Sequence, residues 1–466
     1  MPMDFLCRRC LKTVADNNQD MDLTNNENYI ASCLRIAEQR LSAYTDIKEI
    51  ENELKAINAY ENIALLDEPQ DSFILDSVSE DELKRAKKCV LDGRFFAEHA
   101  AAGEATRLRL GTKYLLNIAR ELSTEKIAEM ISEEKGVHVS AADVIKEAGC
   151  RSQDILPLSL GTRHMLQYSF DISKLAKQEG MDPEEVLAKQ KMLIILNEAS
   201  AETIIAEFMK YGFFGFSQQN VFFMRQKSYH GIARTKQEFV YDKNSPKKLH
   251  NHGQMVMQQT MDEQIFFVDK KGRKNHLKSK EFGEILKGMD DKLSYNIEDI
   301  GFLVDAIDYK SLAFALNKSD YGYLMLMEIV ANNPKTPQKG GMAAYDRVLG
   351  RNIMIEVFQL KDIKNSDIKF LNRNFNHYPK PYDSWLLIKK KGLNMPVVVK
   401  DGFIYFQPVQ GDINFLVKTA FVQRKVLKPI LNWKSAATAP QTIKYMKMQD
   451  EQPGFRDYAE RFIGRI

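Results

Sequence analysis

The stretch best equipped for chemistry is Ala101-Ala102-Gly103-Glu104-Ala105-Thr106-Arg107-Leu108-Arg109-Leu110-Gly111-Thr112-Lys113. Small residues such as Ala102 and Gly103 let a backbone approach a ligand closely and aim its N–H groups at phosphate oxygens. A helix starting just beyond such a loop adds a field that favours anions. Arg107 can grip a phosphate through two parallel hydrogen bonds, and Lys113 would act as a point charge. The segment lacks the Gly-Lys-Ser/Thr ending of a P-loop. An Ala/Gly-rich turn with three cations is also how a plain surface loop reads, so composition leaves both readings open.

Other candidates carry less. Cys7-x-x-Cys10 is the one close cysteine pair, but a structural zinc site needs two more ligands, and none follows nearby. His250 and His252 have the spacing of one face of an extended strand, again without a third ligand. The run Lys389-Lys390-Lys391 after Trp385 reads as a solvated hairpin.

The chain has 466 residues, with 66 Lys+Arg against 63 Asp+Glu and a formal charge of +3. That balance argues against a protein whose main work is coating nucleic acid. With 44% hydrophobic and 28% charged residues, the chain can bury large cores. No window approaches the roughly 18 to 20 apolar residues of a membrane span. Five scattered cysteines and the absence of a secretory-type leader fit a reducing, cytoplasmic setting.

The elements that must position these residues follow from periodicity. Asn28 to Lys88 reads as helix, with Leu34, Ile36, Ala37 and Leu41 at helical spacing. Met192–Leu196, Val221–Met224 and Glu263–Val268 read as strands, the last entering the turn Asp269-Lys270-Lys271-Gly272. Ala201–Tyr211 and Lys280–Met289 read as helices between them, which implies an α/β sheet covered on both faces. Residues 117–154 read as a helical insertion with caps at Ser123 and Ser140. Past Tyr382 the pattern is β-like to about Gln410, then helical. Three parts result: a helical N-terminal region (1–90), a central domain (91–380) and a small C-terminal domain (381–466).

Ala102-Gly103-Glu104-Ala105-Thr106-Arg107-Leu108-Arg109, with Thr112-Lys113 beyond it, resembles the Gly-Gly-x-Gly-Thr-Arg-Leu-Gly…Pro-Lys signature of the UTP–glucose-1-phosphate uridylyltransferases and UDP-sugar or UDP-N-acetylhexosamine pyrophosphorylases. Further segments are similar to that family's in the same order. They include Leu160–Gln167, Ile194–Ser200, Tyr211–Phe216, Val221–Gln226 and Asn251-His252-Gly253-Gln254. Asn296–Gly301, Glu328, Lys339-Gly340-Gly341, Glu356 and Asn372-Arg373-Asn374 follow. The resemblance spans about residues 91–410 and marks a divergent member.

The resemblance implies a nucleotide-diphospho-sugar transferase-like (Rossmann-like) fold with a mixed, mostly parallel sheet. It implies that a sugar-1-phosphate attacks the α-phosphorus of UTP and releases pyrophosphate, giving a UDP-sugar. In such an enzyme Ala102 and Gly103 would cradle the triphosphate, Arg107 would face the pyrophosphate, and Lys113 and Lys400 would face phosphates. Gln226 and Gly253 match positions that read uracil. Gly341, Glu356 and Asn372 match the sugar pocket. Glu298 stands where the family has a magnesium-binding Asp, so Mg²⁺ is the implied cofactor, with Asp299 adjacent. The partners implied are UTP and a sugar-1-phosphate, not a membrane or a nucleic acid. The altered glycines, Glu298 and the insertion equally suit a catalytically inactive relative that binds a nucleotide-sugar or a protein. The sequence leaves the oligomeric state open.

Overall fold

Strands whose side chains are apolar on both faces belong in the middle of a covered sheet, and Lys191–Leu196 and Val221–Arg225 have that character. In the computed structural model, which describes residues 21–70, 72–75, 78–104, 110–236, 238–249, 252–424 and 435–464, these strands form the heart of a sheet of thirteen described strands. The strands along its main path are β1 (Phe73–Ile74), β2 (Phe95–Ala100), β3 (Lys191–Leu196), β4 (Val221–Arg225) and β5 (Ile265–Val268). They continue with β6 (Lys274–His276), β7 (Asp291–Asn296), β8 (Met325–Ala331), β9 (Phe370–Pro379) and β10 (Thr419–Gln423). Their spatial order is β6-β5-β4-β3-β2-β7-β9-β8-β10-β1. The run β4-β3-β2-β7 is parallel, and so are β8-β10 and β10-β1, whereas β9 runs antiparallel to both neighbours. The fold is the expected mixed α/β sheet.

Alternation along the strands assigns the two faces. Phe95, Ala97, Met192, Ile194, Val221 and Phe223 pack with the helix Leu160–Gln178 and its neighbours. Phe96, Leu193, Ile195, Phe222 and Met224 pack against the helices Ser279–Lys287 and Pro381–Lys391 through Phe282, Leu286 and Trp385. A second sheet of Val397–Lys400, Phe403–Phe406, Ile232–Arg234 and Phe239–Tyr241 lies beside a separate core that includes the helix Asn26–Leu41. No described helix is long and apolar enough to cross a membrane.

The strands and helices read from periodicity occur, within a residue or two, at Lys191–Leu196, Val221–Arg225, Ile265–Val268, Ala201–Lys210 and Ser279–Lys287. The insertion is helical at Thr124–Lys135 and Ala141–Ala148. Ser123 Oγ accepts from Lys126 N–H, and Ser140 closes a reciprocal capping box with Asp143.

Two readings need correction. The N-terminal helix does not run unbroken to Lys88: a turn separates the helices Asn26–Leu41 and Ile47–Ile57, and short strands at Leu66–Asp67 and Phe73–Ile74 precede the helix Glu80–Leu91. Phe73 and Ile74 pair with Val422 and Gln423, a contact almost 350 residues away in sequence that no local pattern reports. Likewise 381–391 is helix and not strand. Lys389 to Lys391 form its last turn, where cations complement the helix dipole. Lys389 Nζ also donates to Ser279 Oγ at 2.6 Å. Cys7 and Cys10 lie outside the described residues.

The C-terminal helices Ala439–Asp450 and Phe455–Ile463 return to the sheet's helical face. Arg163, fully buried, donates to Asp450 Oδ1 (2.7 Å), Gln449 Oε1 (2.9 Å) and the Leu156 carbonyl (2.7 Å). Removing one partner of a buried pair strands the other charge. Arg163→Met should therefore lower the unfolding free energy in urea by about 3–5 kcal/mol. A loss below about 1 kcal/mol, the size expected of an exposed pair, would show that the C-terminal helices dock without it.

Candidate active site

In open α/β sheets ligands collect beyond the carboxyl ends of the strands, where loops diverge and backbone groups lose ladder partners. Here those ends are tied together. Ala101 N–H donates to the Ile195 carbonyl (2.8 Å), Ile297 N–H to Ala100 (3.2 Å), and Gln226 N–H to Leu196 (2.7 Å). The exits of β2, β3, β4 and β7 thus form one rim.

The loop after β2 is pinned at its base. Glu104 and Thr112 form an antiparallel bridge, and Lys113 N–H donates to the Gly103 carbonyl at 3.1 Å. Asn197, just past β3, donates to the Ala102 carbonyl at 3.2 Å while its Oδ1 accepts from Ser200 N–H and Oγ at 2.7 Å. Asn197 and Ser200, read from sequence only as a strand end, turn out to buttress the loop. Residues 105–109 lie outside the described residues, so Arg107 does too.

Lys113 is buried, and its ammonium forms an ion pair with the Glu298 carboxylate from the β7 exit. A Cβ built on Gly103 would lie 3.7 Å from Lys113 Cδ and 4.0 Å from Nζ. The structure therefore brings Gly103, Lys113 and Glu298 together. Asn296 shapes the turn that presents Glu298: its Oδ1 accepts from Glu298 N–H (2.7 Å), while its own N–H donates to Asp299 Oδ2 (2.8 Å).

Asp299 points inward and is buried. Burial pushes its carboxyl up to about 7; the Asn296 N–H opposes this, and the Glu298 charge adds to it. Arg373 also favours its charged form. Arg373 pairs with Glu328 (2.9 Å), and Arg424 bridges Glu328 (2.6 Å) and Asp308 (2.5 Å). This network joins β8, β9 and the end of β10 just behind the rim.

The other expected residues fall in three places. Gln226 sits half-buried at the β4 exit, on the same rim. Gly253 is buried in the helix His252–Gln258, where its N–H donates to the Pro408 carbonyl (3.1 Å) and an added Cβ would lie 2.5 Å from the Pro408–Val409 backbone. Its lack of a side chain is thus already required by packing. Gly341, Glu356 and Asn372 come together: Asn372 N–H donates to the Gly341 carbonyl (3.0 Å), and a Cβ on Gly341 would lie 3.6 Å from Glu356 Oε1. Burial raises the Glu356 carboxyl above its ordinary range. Lys400 is exposed at the end of its strand and bonds to none of the other expected residues that are described.

For magnesium, the described residues contain no group of three or more His, Cys, Asp or Glu side chains that could hold an ion. Magnesium is usually held by one or two carboxylates together with substrate phosphates, so Glu298 fits an ion that arrives with a nucleotide. Among the described residues it is not part of a prebuilt cage.

No protein-family model and no curated protein sequence matches the chain. Solved structures do. A point variant of UDP-glucose pyrophosphorylase from Leishmania major matches with a TM-score of 0.54 at 13% identity, over 93% of this chain and 78% of that one. Uridine diphosphate N-acetylglucosamine pyrophosphorylase from Trypanosoma brucei matches with a TM-score of 0.52 at 12% identity, over 94% and 83%. The chain therefore has the fold of nucleotide-sugar pyrophosphorylases, the family its motifs resemble.

Asp299 yields a pH prediction. A carboxyl raised from 3.8 to about 7 stabilises the folded state in its protonated form. That contribution is whole below pH 3.8 and is lost as pH rises toward 7. Urea unfolding across this window should show a weaker fall in stability for Asp299→Asn than for the parent chain. An unchanged slope would mean that Asp299 is ionised in the fold.

Proposed function

We propose that the protein is a uridylyltransferase, joining UTP and a sugar-1-phosphate to form a UDP-sugar and pyrophosphate. The observation that carries this reading is the meeting of Gly103, Lys113 and Glu298 at the carboxyl ends of parallel strands. A pinned loop with small residues, a buried lysine and one carboxylate suits a polyphosphate that brings its own metal ion.

The reaction asks for positioning and charge neutralisation more than for a protein nucleophile. A sugar-phosphate oxygen bonds to the α-phosphorus, and the bond from that phosphorus to the α–β bridging oxygen breaks. Its electron pair leaves with pyrophosphate. Amides around Ala102 and Gly103 would hold the triphosphate. Lys113 would neutralise charge growing on the α-phosphate, and Arg107 the departing pyrophosphate. Glu298 would hold Mg²⁺, which neutralises phosphate charge when bound. Lys400 would reach a phosphate from the second sheet, Gln226 and Gly253 would frame the base, and Gly341, Glu356 and Asn372 would frame the sugar.

The ion pair between Lys113 and Glu298 also favours a second reading, in which the lysine is already neutralised and the protein binds a nucleotide-sugar without turnover. Pyrophosphate release in the presence of UTP, Mg²⁺ and a panel of sugar-1-phosphates separates the two. Under the first reading Lys113→Met lowers kcat by about 10²–10³-fold, the usual cost of removing one positioned charge-stabilising group. Arg107→Ala lowers turnover far more than it lowers thermal stability. UTP binding without pyrophosphate release for every sugar tested would establish the second reading.

A further inference from the structure

Beside Gly341 lies a second carboxylate that the sequence did not single out. The turn Gln410–Phe415 is fastened to the strand Arg351–Ile355 by Asn414. Its Oδ1 accepts from Met354 N–H (3.0 Å), and its amide donates to the Met354 carbonyl (3.0 Å) and the Gly411 carbonyl (2.6 Å). Gly341 and Gly411 both flank Glu356, since a Cβ on either would lie 3.6 Å from Glu356 Oε1. This clamp places Asp412 next to Glu356.

Asp412 is 1% exposed, and neither of its carboxylate oxygens has a hydrogen-bond partner. Burial and the neighbouring Glu356 charge drive its carboxyl well above the ordinary range. Asn394 lies near enough to oppose this slightly, without hydrogen-bond geometry. Among the described residues no lysine or arginine pairs with either acid. Close by, the buried Tyr378 hydroxyl lies within reach of the Gln410 and Asn376 side chains. Most buried polar groups in folded proteins are paired, so the unpartnered Asp412 carboxylate marks a place where a polar ligand completes the set.

We propose that the sugar subsite is built for a hexosamine 1-phosphate carrying a free amine, with Glu356 and Asp412 as specificity-determining residues that hold its ammonium. The proposal rests on the uridylyl-transfer reading and names its substrate class. An ammonium offers three N–H donors and a positive charge, so it removes the repulsion between two buried carboxylates and fills their acceptors together. A hydroxyl at the same carbon offers one donor and no charge. An acetylated amine offers one N–H and no charge. A metal ion is less suited, because no third ligand stands nearby among the described residues.

The test is calorimetric titration of the full chain, loaded with Mg²⁺ and α,β-methylene UTP, with glucosamine 1-phosphate, glucose 1-phosphate and N-acetylglucosamine 1-phosphate. The amine should bind at least tenfold more tightly than either of the others. In Asp412→Asn and in Glu356→Gln that ratio should collapse toward one, with nucleotide binding reporting that each variant is folded. Equal affinity for glucose 1-phosphate and glucosamine 1-phosphate in the parent chain would overturn the proposal alone. So would a preference that survives both substitutions. Nucleotide binding with no affinity for any of the three sugar phosphates would overturn the uridylyl-transfer reading, and this proposal with it.

Discussion

The contact between Lys113 and Glu298 depends on the whole architecture. The two residues are 185 positions apart and meet because β2 and β7 run side by side in the same direction. Parallel pairing puts both exits on one edge, so the loop carrying Gly103 and Lys113 and the turn carrying Glu298 face each other. A register slip of one residue would turn every side chain of a strand to the opposite face. The exit turns would then move out of step. Apolar packing on both faces of β3 and β4, and mainly on one face of β2 and β7, holds this register.

Polar groups inside the sheet are arranged to leave that edge charged. On one face Glu98 is fully engaged: Lys292 and Gln259 reach Oε2 (2.9 and 2.7 Å) and Ser294 reaches Oε1 (2.8 Å). Behind the rim, Glu328 and Asp308 absorb Arg373 and Arg424. Those arginines come from β9 and from just past β10, so the late part of the chain is bound into the site's foundation. Phe73–Ile74 from the early part lies on the outer edge of the same sheet. Against these satisfied networks, the unpaired Asp412 beside Glu356 stands apart.

Much of this was legible in the sequence where the cause was local. Strands such as Met192–Leu196 declare themselves by branching and length, and Ser123 and Ser140 by their capping positions. The meeting of Gly103, Lys113 and Glu298 was legible through motif order, because the motifs preserve the sequence of strand exits. What was hidden depended on distant partners. Phe73–Ile74 became a strand only through β10, and 381–391 became a helix whose Trp385 packs across the sheet. Gly253 and Gly341 were read as ligand contacts. At Gly253 the neighbouring Pro408–Val409 backbone already forbids a side chain, and at Gly341 the sulfur of Met354 fills the space a Cβ would need. Asp412 carried no signal, since a lone acid in Gln-Gly-Asp-Ile reads as surface.

The central claim is that the rim between Gly103 and Glu298 receives a nucleoside triphosphate and that Lys113 serves it. A crystal structure of the chain with UTP and magnesium tests this most directly. The expected result has Lys113 Nζ on a phosphate oxygen, with the Glu298 carboxylate turned from the lysine to the metal ion. Phosphates bound elsewhere, with the Lys113–Glu298 pair intact, would contradict it.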